Sequence, residues 1–172
     1  MIRRAEKADI AAIADTYTEL LTYEQQHGSH SNWVLGVYPT IAVPEQKVPE
    51  GSMYVLEENG EICASMVLNH EQAEEYSHID WLYPGENEEV LVVHTLCVPP
   101  RKAGCGYGRR MVEFAKEFAA ETLCRAVRID TYIHNEPAKR LYQKNGFRIA
   151  GSARTLHQGV IEEELVYLEC KV

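Results

Sequence analysis

Basic side chains are scarce in this sequence: 17 Lys plus Arg stand against 26 Asp plus Glu, for a formal net charge of −9. That balance disfavours a nucleic-acid binder, which needs a broad basic face. Long apolar runs are missing too. None reaches membrane-spanning length, and the N-terminal MIRRAEKADI lacks the apolar stretch of a signal peptide. The five cysteines (Cys63, Cys97, Cys105, Cys124 and Cys170) are odd in number and scattered, without a C-x-x-C pair. Both a disulfide framework and a zinc site are thereby disfavoured, and a reducing compartment is expected. No internal repeat or low-complexity linker divides the chain. The expectation is one soluble, cytoplasmic domain over residues 1–172, with no metal and no nucleic-acid or membrane partner. Its 45% apolar content is enough for a single real core.

What is present alternates between strand and helix patterns. MIRRA reads as a first strand, and Asp9 as the cap of a helix in which Ile10, Ile13, Ala14, Tyr17, Leu20 and Leu21 recur at helical spacing. From His27 to Pro49 the pattern breaks into loop residues, with a short helix near Pro44 to Val48. MYVLEENGEICASMVLN has the form of a hairpin turning at Glu58-Asn59-Gly60. Residues 71–89 carry seven acids and no Lys or Arg, together with Tyr76, Trp81 and Tyr83. VLVVHTLCV, Val90 to Val98, is nearly all apolar or β-branched, as a central strand buried on both faces requires. After Pro99 and Pro100, the residues Met111, Val112, Ala115, Phe118, Ala119 and Leu123 form the apolar stripe of a second long helix. AVRIDTYI is another strand. NEPAKRLYQKNG is a third helix, with Asn135 at its cap, Pro137 in its first turn and Gly146 at its stop. FRIAG and EEELVYLEC finish as strands. A hairpin followed by strand–helix alternation predicts an α/β (α+β) domain with a mixed sheet.

One short stretch runs against the acidic composition. Arg101 and Lys102 precede GCGYGRRM, so four cationic side chains, counting Arg109 and Arg110, surround Gly104, Gly106 and Gly108. Three roles are open to these glycines: a flexible turn, a dinucleotide fingerprint, or a backbone cradle for the pyrophosphate of another cofactor. Asp130 ends the next strand about where a ribose-binding acid belongs. A G-x-G-x-x-G fingerprint nevertheless needs glycine at 109, where Arg109 stands, and no Gly-Lys-Ser/Thr follows to make a P-loop. The cradle is consistent with the chemistry. Glycines let the backbone approach a ligand without Cβ atoms, and a helix opening at Gly106 to Arg109 adds unpaired N–H groups and a positive dipole end.

LCVPPRKAGCGYGRRMV followed by RIDTYIHNEPAKRLYQKNGFRIAG resembles the GNAT superfamily of acyl-CoA-dependent N-acetyltransferases. The likeness is close from Val90 to Gly151, and the first helix and hairpin agree in order. It implies a mixed, mostly antiparallel sheet flanked by helices and splayed between its central strands. It also implies acetyl-CoA as co-substrate. Leu96 and Val98, flanking Cys97, would offer backbone groups to the pantetheine arm and the acetyl carbonyl. Gly104, Gly106 and Gly108, with Cys105 and Tyr107, would wrap the pyrophosphate. Asn135 would bond the amide arm, Ala138 and Leu141 would line its channel, and Tyr142 would protonate the departing thiolate. Ala103 stands where the family usually has Arg or Gln, so Arg101 or Lys102 replaces that charge or the backbone alone holds the pyrophosphate.

Transfer to an amine needs a neutral nucleophile, and a free alkyl amine has a pKa near ~10.4, so a base or a desolvating site must remove its proton. His94 and Glu89 are the candidate bases, each with a structural role open to it: a satisfied core histidine, and a member of an acidic surface run. Tyr142 also fits a core aromatic on the inner face of its helix. Neither Cys97 nor Cys105 is paired with a histidine by motif, and direct attack needs no acyl-enzyme. On the acceptor side, His27, His30, Trp33, Tyr38, Tyr76, Trp81 and Tyr83 line a pocket in one reading and seal the core in the other. The acid-rich 71–89 suits a cationic amine or a lysine-bearing peptide, and equally a solvated face. The expected function is acetyl transfer from acetyl-CoA to a primary amine of a small molecule or peptide in a ternary complex, by a chain that is a monomer or a homodimer. The alternative is a CoA-binding sensor without catalysis.

Overall fold

The computed structural model describes residues 1–172. Its strands are β1 (Ile2–Arg4), β2 (Met53–Glu58), β3 (Glu61–Asn69), β4 (Val90–Cys97), β5 (Ala126–Tyr132), β6 (Arg148–His157) and β7 (Ile161–Lys171). Its helices are α1 (Ile10–His27), α2 (Ala42–Lys47), α3 (Tyr107–Glu121) and α4 (Glu136–Lys144). The seven strands lie in the order β1-β2-β3-β4-β5-β7-β6. β1–β2, β2–β3, β5–β7 and β6–β7 pair antiparallel, and β4–β5 pair parallel. The mixed, mostly antiparallel sheet flanked by helices is thus present. No helix is long and apolar enough to cross a membrane.

The chain divides into two compact units. The first comprises residues 1–29, 33–68 and 95–111. Its core is the face of α1 that carries Ile13 and Tyr17, packed with Met53 and Val55 of β2, Ile62 and Val67 of β3, and Cys97 of β4. Asn59 and Gly60 both have positive φ, 53° and 77°, so the β2–β3 hairpin closes through a two-residue turn whose twist matches the strands. Asp9 does not cap α1 through its side chain. A 3-10 turn, Lys7–Asp9, precedes the helix, and the Asp9 carboxylate accepts from the Glu6 N–H at 2.7 Å and from Arg3 at 2.7 and 3.0 Å. The guanidinium competes for the carboxylate and holds it below its ordinary pKa.

The second unit comprises residues 30–32, 69–94 and 112–172. Here Val90 and Val92 of β4 and Leu165 and Tyr167 of β7 are covered by Tyr76, Ile79 and Trp81, which come from the acid-rich segment. That segment is not merely a solvated face, because two buried charges hold it. Glu169, 0% exposed, accepts the N–H groups of Leu82 at 2.7 Å and Tyr83 at 3.2 Å, and takes an ion pair from Arg148. The buried Arg128 donates to Gln72 and to the Tyr83 carbonyl, and its guanidinium lies 4.0 Å from the Trp81 ring. Leu123 departs from the apolar stripe expected of it. The helix ends at Glu121, and Leu123, at φ 62°, is turned into solvent at 85% exposure. A left-handed residue lets the Cys124 N–H return to the Ala119 carbonyl at 2.8 Å, and its own side chain leaves the core.

Truncating Glu169 to Ala strands two N–H groups and a guanidinium. A loss of about 3–5 kcal/mol is expected from urea unfolding. Arg148→Ala, removing a side chain 41% exposed, should cost only about 1 kcal/mol. Equal losses would assign the role of Glu169 to the ion pair and not to the backbone.

Candidate active site

The even central strand expected over Val90–Val98 is interrupted. Thr95 has φ 50°, a left-handed conformation that costs a side-chain-bearing residue of order 1–3 kcal/mol unless its surroundings hold it. The hydroxyls of Tyr38 and Thr95 lie 2.5 Å apart and supply that hold. The registered β4–β5 pairs stop just before the kink, at Val93↔Ile129, whereas β5 continues alongside β7 as far as Tyr132↔Leu165. After the kink, Leu96 and Val98 are half-buried and Cys97 is sealed. The Cys97 thiol faces Thr16, and burial pushes its pKa up to about 12, which removes it as a nucleophile at neutral pH.

Still in the first unit, the glycine loop has the backbone of an anion cradle. Gly104 and Gly106 have φ 78° and 77°, and a Cβ on either would meet no atom within 4 Å. Lys102, Ala103 and Cys105 send their N–H groups to carbonyls within the loop, and the first helical bond is Arg110 N–H to the Gly106 carbonyl. The N–H groups of Gly104, Gly106, Tyr107 and Gly108 find no carbonyl in the chain. The loop therefore fits a pyrophosphate: open space above the glycines and donors without acceptors at a helix N-terminus. Cys105 is exposed beside it.

Its cations do not act as expected. Arg101 pairs with Glu19 and with Glu61 at 2.9 Å, Lys102 with Glu61 at 2.6 Å, and Arg110 with Glu58. Tyr107 donates to Glu58 at 2.7 Å. Acids from α1 and the hairpin thus offset three of the four charges, and neither Arg101 nor Lys102 is turned toward replacing the side chain missing at Ala103. Arg109 lies exposed in the first turn of α3.

In the second unit, Asn135 caps α4: its Oδ1 accepts the Ala138 N–H at 3.2 Å, and its Nδ2 donates to Thr131 at 3.0 Å. Ala138 and Leu141 are half-buried on the same helix, and Tyr142 is 5% exposed. The Tyr142 hydroxyl makes no hydrogen bond with the chain, and burial raises its pKa above the ordinary phenol value. The carboxylate of Glu89 is occupied, accepting the Glu86 N–H at 3.1 Å and pairing with Arg125 at 2.9 Å. His94 has a different setting. Asn69 Oδ1 already accepts the Glu71 N–H at 3.0 Å, so its oxygen is the acceptor facing His94 Nε2 at 2.9 Å. Nε2 therefore carries the hydrogen, and the lone pair of the neutral ring is on Nδ1.

A family model described as the acetyltransferase (GNAT) family matches residues 12–147. The chain belongs to the GNAT acetyltransferase family. An uncharacterized N-acetyltransferase of Bacillus subtilis strain 168, YhfO, is 25% identical over 150 residues, which are 85% of this chain and 88% of that one. A GNAT-family acetyltransferase of Listeria monocytogenes superposes with a TM-score of 0.76 at 17% identity, covering 100% of this chain and 94% of that one. The Salmonella typhimurium protein yncA, solved with its cofactor acetyl-CoA, does so at 0.69 and 20% identity, covering 99% and 92%. This GNAT protein is an acetyl-CoA-dependent acyltransferase. No group of three or more His, Cys, Asp or Glu is placed to hold a metal ion.

The structure also gives weight to an acid that the sequence offered only as a ribose ligand. Asp130 of β5 takes a hydrogen bond from the Tyr76 hydroxyl at 2.7 Å, and burial raises its pKa. The aromatic run Tyr76, Trp81, Tyr83 was the visible signal; that its first member ends on a carboxyl was not.

Two outcomes test these settings. Gly106→Ala should weaken acetyl-CoA binding at least about tenfold by calorimetry. Gly60→Ala carries the same φ of 77° in the hairpin turn and should lose a similar amount of stability with no loss of affinity. Asp130 offers the pH test. A carboxyl whose folded pKa is raised contributes stability at low pH that is lost as pH rises through that pKa. Asp130→Asn should therefore melt above the wild type at alkaline pH, and the difference should shrink toward acid pH; a difference independent of pH would contradict burial as the cause.

Proposed function

We propose that this GNAT acetyltransferase acetylates a primary amine of a small molecule or peptide by direct attack in a ternary complex. The observation that carries the reading is Tyr142: a phenol sealed at its ring, with no protein acceptor, whose pKa burial raises above the ordinary phenol value. Acetyl-CoA, when bound, supplies the acetyl thioester. Leu96 and Val98, on either side of Cys97, offer backbone groups to its pantetheine arm, and the N–H groups from Gly104 to Gly108 hold its pyrophosphate. Asn135, Ala138 and Leu141 line the arm. Asn135 retains for this one amide hydrogen and one lone pair beyond those its cap uses.

Tyr142 holds its proton at Oη for the departing sulfur. A phenol is a weaker acid than a thiol of pKa near ~8.5, so donation requires a desolvated thiolate, which a buried phenol favours. His94 accepts the ammonium proton at Nδ1, while Nε2–H remains fixed on Asn69. The engagement of both Glu89 oxygens in a turn and an ion pair favours His94 over Glu89 for this task. Seven acids without a Lys or Arg in residues 71–89 support a cationic acceptor. All five cysteines are free, which supports a reducing, cytoplasmic location.

A thiol-release assay with acetyl-CoA over polyamines, aminoglycosides, amino acids and peptides identifies the acceptor. With the best amine, Tyr142→Phe should lower kcat about 10²-fold or more while acetyl-CoA affinity survives. Unchanged turnover over the whole pH range would remove Tyr142 from the mechanism.

A further inference from the structure

The last registered pair of the parallel ladder is Val93↔Ile129. The next residues on the two strands are His94 and Asp130, which that register directs to the same face of the sheet. Asp130 is in turn registered with Tyr167 on β7. The face is roofed by Tyr76, which meets Tyr167 edge-on at 5.1 Å and donates its hydroxyl to Asp130. His94 is fixed from the other side by Asn69 at 2.9 Å. A carboxyl and an imidazole thus follow the last registered pair on one face of the sheet, each anchored by a different neutral partner.

We propose that Asp130, held by Tyr76, is a positioning residue for acetyl transfer, its carboxyl acting across the sheet face on His94 and so setting the pH at which His94 can act as base. The inference rests on His94 being that base, and it adds what tunes it. The groups within electrostatic reach of Asp130 are Tyr76 of the roof, His94 of β4, Tyr142 of α4, Tyr167 of β7, and His157 and Glu163 on the β6–β7 hairpin. Glu163 is itself engaged by His157 at 3.2 Å and Asn32 at 3.1 Å. Of the carboxyls in this set, Asp130 alone directly follows a registered β4–β5 pair, as His94 does on the other strand. A carboxylate on the face that carries an imidazole favours the charged ring and so retains its proton.

Histidine-selective NMR follows the His94 ring from about pH 4 to about pH 9, with its resonance assigned by loss in His94→Gln. In Asp130→Asn the titration midpoint should be lower by about one unit. Tyr76→Phe, which keeps the carboxyl but removes its anchor, should move the midpoint the same way by less. The acid limb of kcat/KM for the best amine should move with the midpoint in both variants. An unmoved midpoint in folded Asp130→Asn overturns the proposal; should that variant not fold, an unmoved midpoint in Tyr76→Phe overturns it. A wild-type acid limb that does not coincide with the His94 midpoint defeats His94 as base, yet the midpoint comparison still decides whether Asp130 tunes the ring.

Discussion

The left-handed backbone at Thr95 is the constraint on which the arrangement of this protein turns. A regular strand would have continued its β4–β5 pairs past Val93. A non-glycine residue at φ 50° stops that, and a short hydroxyl contact with Tyr38 is the interaction that offsets its cost. Ahead of the kink, β4 pairs with β5 in regular parallel register. Past the kink, half-buried backbone leads into the glycine loop.

Charge is used in two distinct ways. Around the glycine loop, exposed cations are matched by Glu19, Glu58 and Glu61, pairs of little value to stability that nonetheless flatten the local field. The N–H groups of Gly104, Gly106, Tyr107 and Gly108 have no backbone acceptor beside them. In the second unit the charges are buried, and Arg128 and Glu169 anchor a long segment by hydrogen bonds to its main chain. Such a segment has few apolar side chains of its own, and hydrogen bonds to buried ions substitute for them.

Much of the fold was legible in the chain. Apolar spacing marked α1 and α3, Asn59-Gly60 marked the hairpin, and Asn135 with Pro137 and Gly146 bounded α4, because each signal is local and its physics acts within a few residues. Asp9 and Leu123 were misread for a related reason. Asp9 is drawn off by Arg3, and Leu123 lies in a left-handed turn that periodicity cannot register. The left-handed backbone at Gly104 and Gly106 was legible as well, since that conformational freedom belongs to the glycines themselves.

The sequence by itself determined the family, the order of elements, the cradle and the place of Tyr142, all carried by residues close together along the chain. Only the tertiary structure decided that Arg101 and Lys102 are spent on Glu19 and Glu61, that Glu89 serves a turn, and that Tyr76 reaches Asp130. Most of these depend on partners tens of residues away. Electrostatic and hydrogen-bond energies fall off over a few ångströms of space and have no relation to distance along the chain. A charge seen in sequence is therefore only an available charge until packing names its partner.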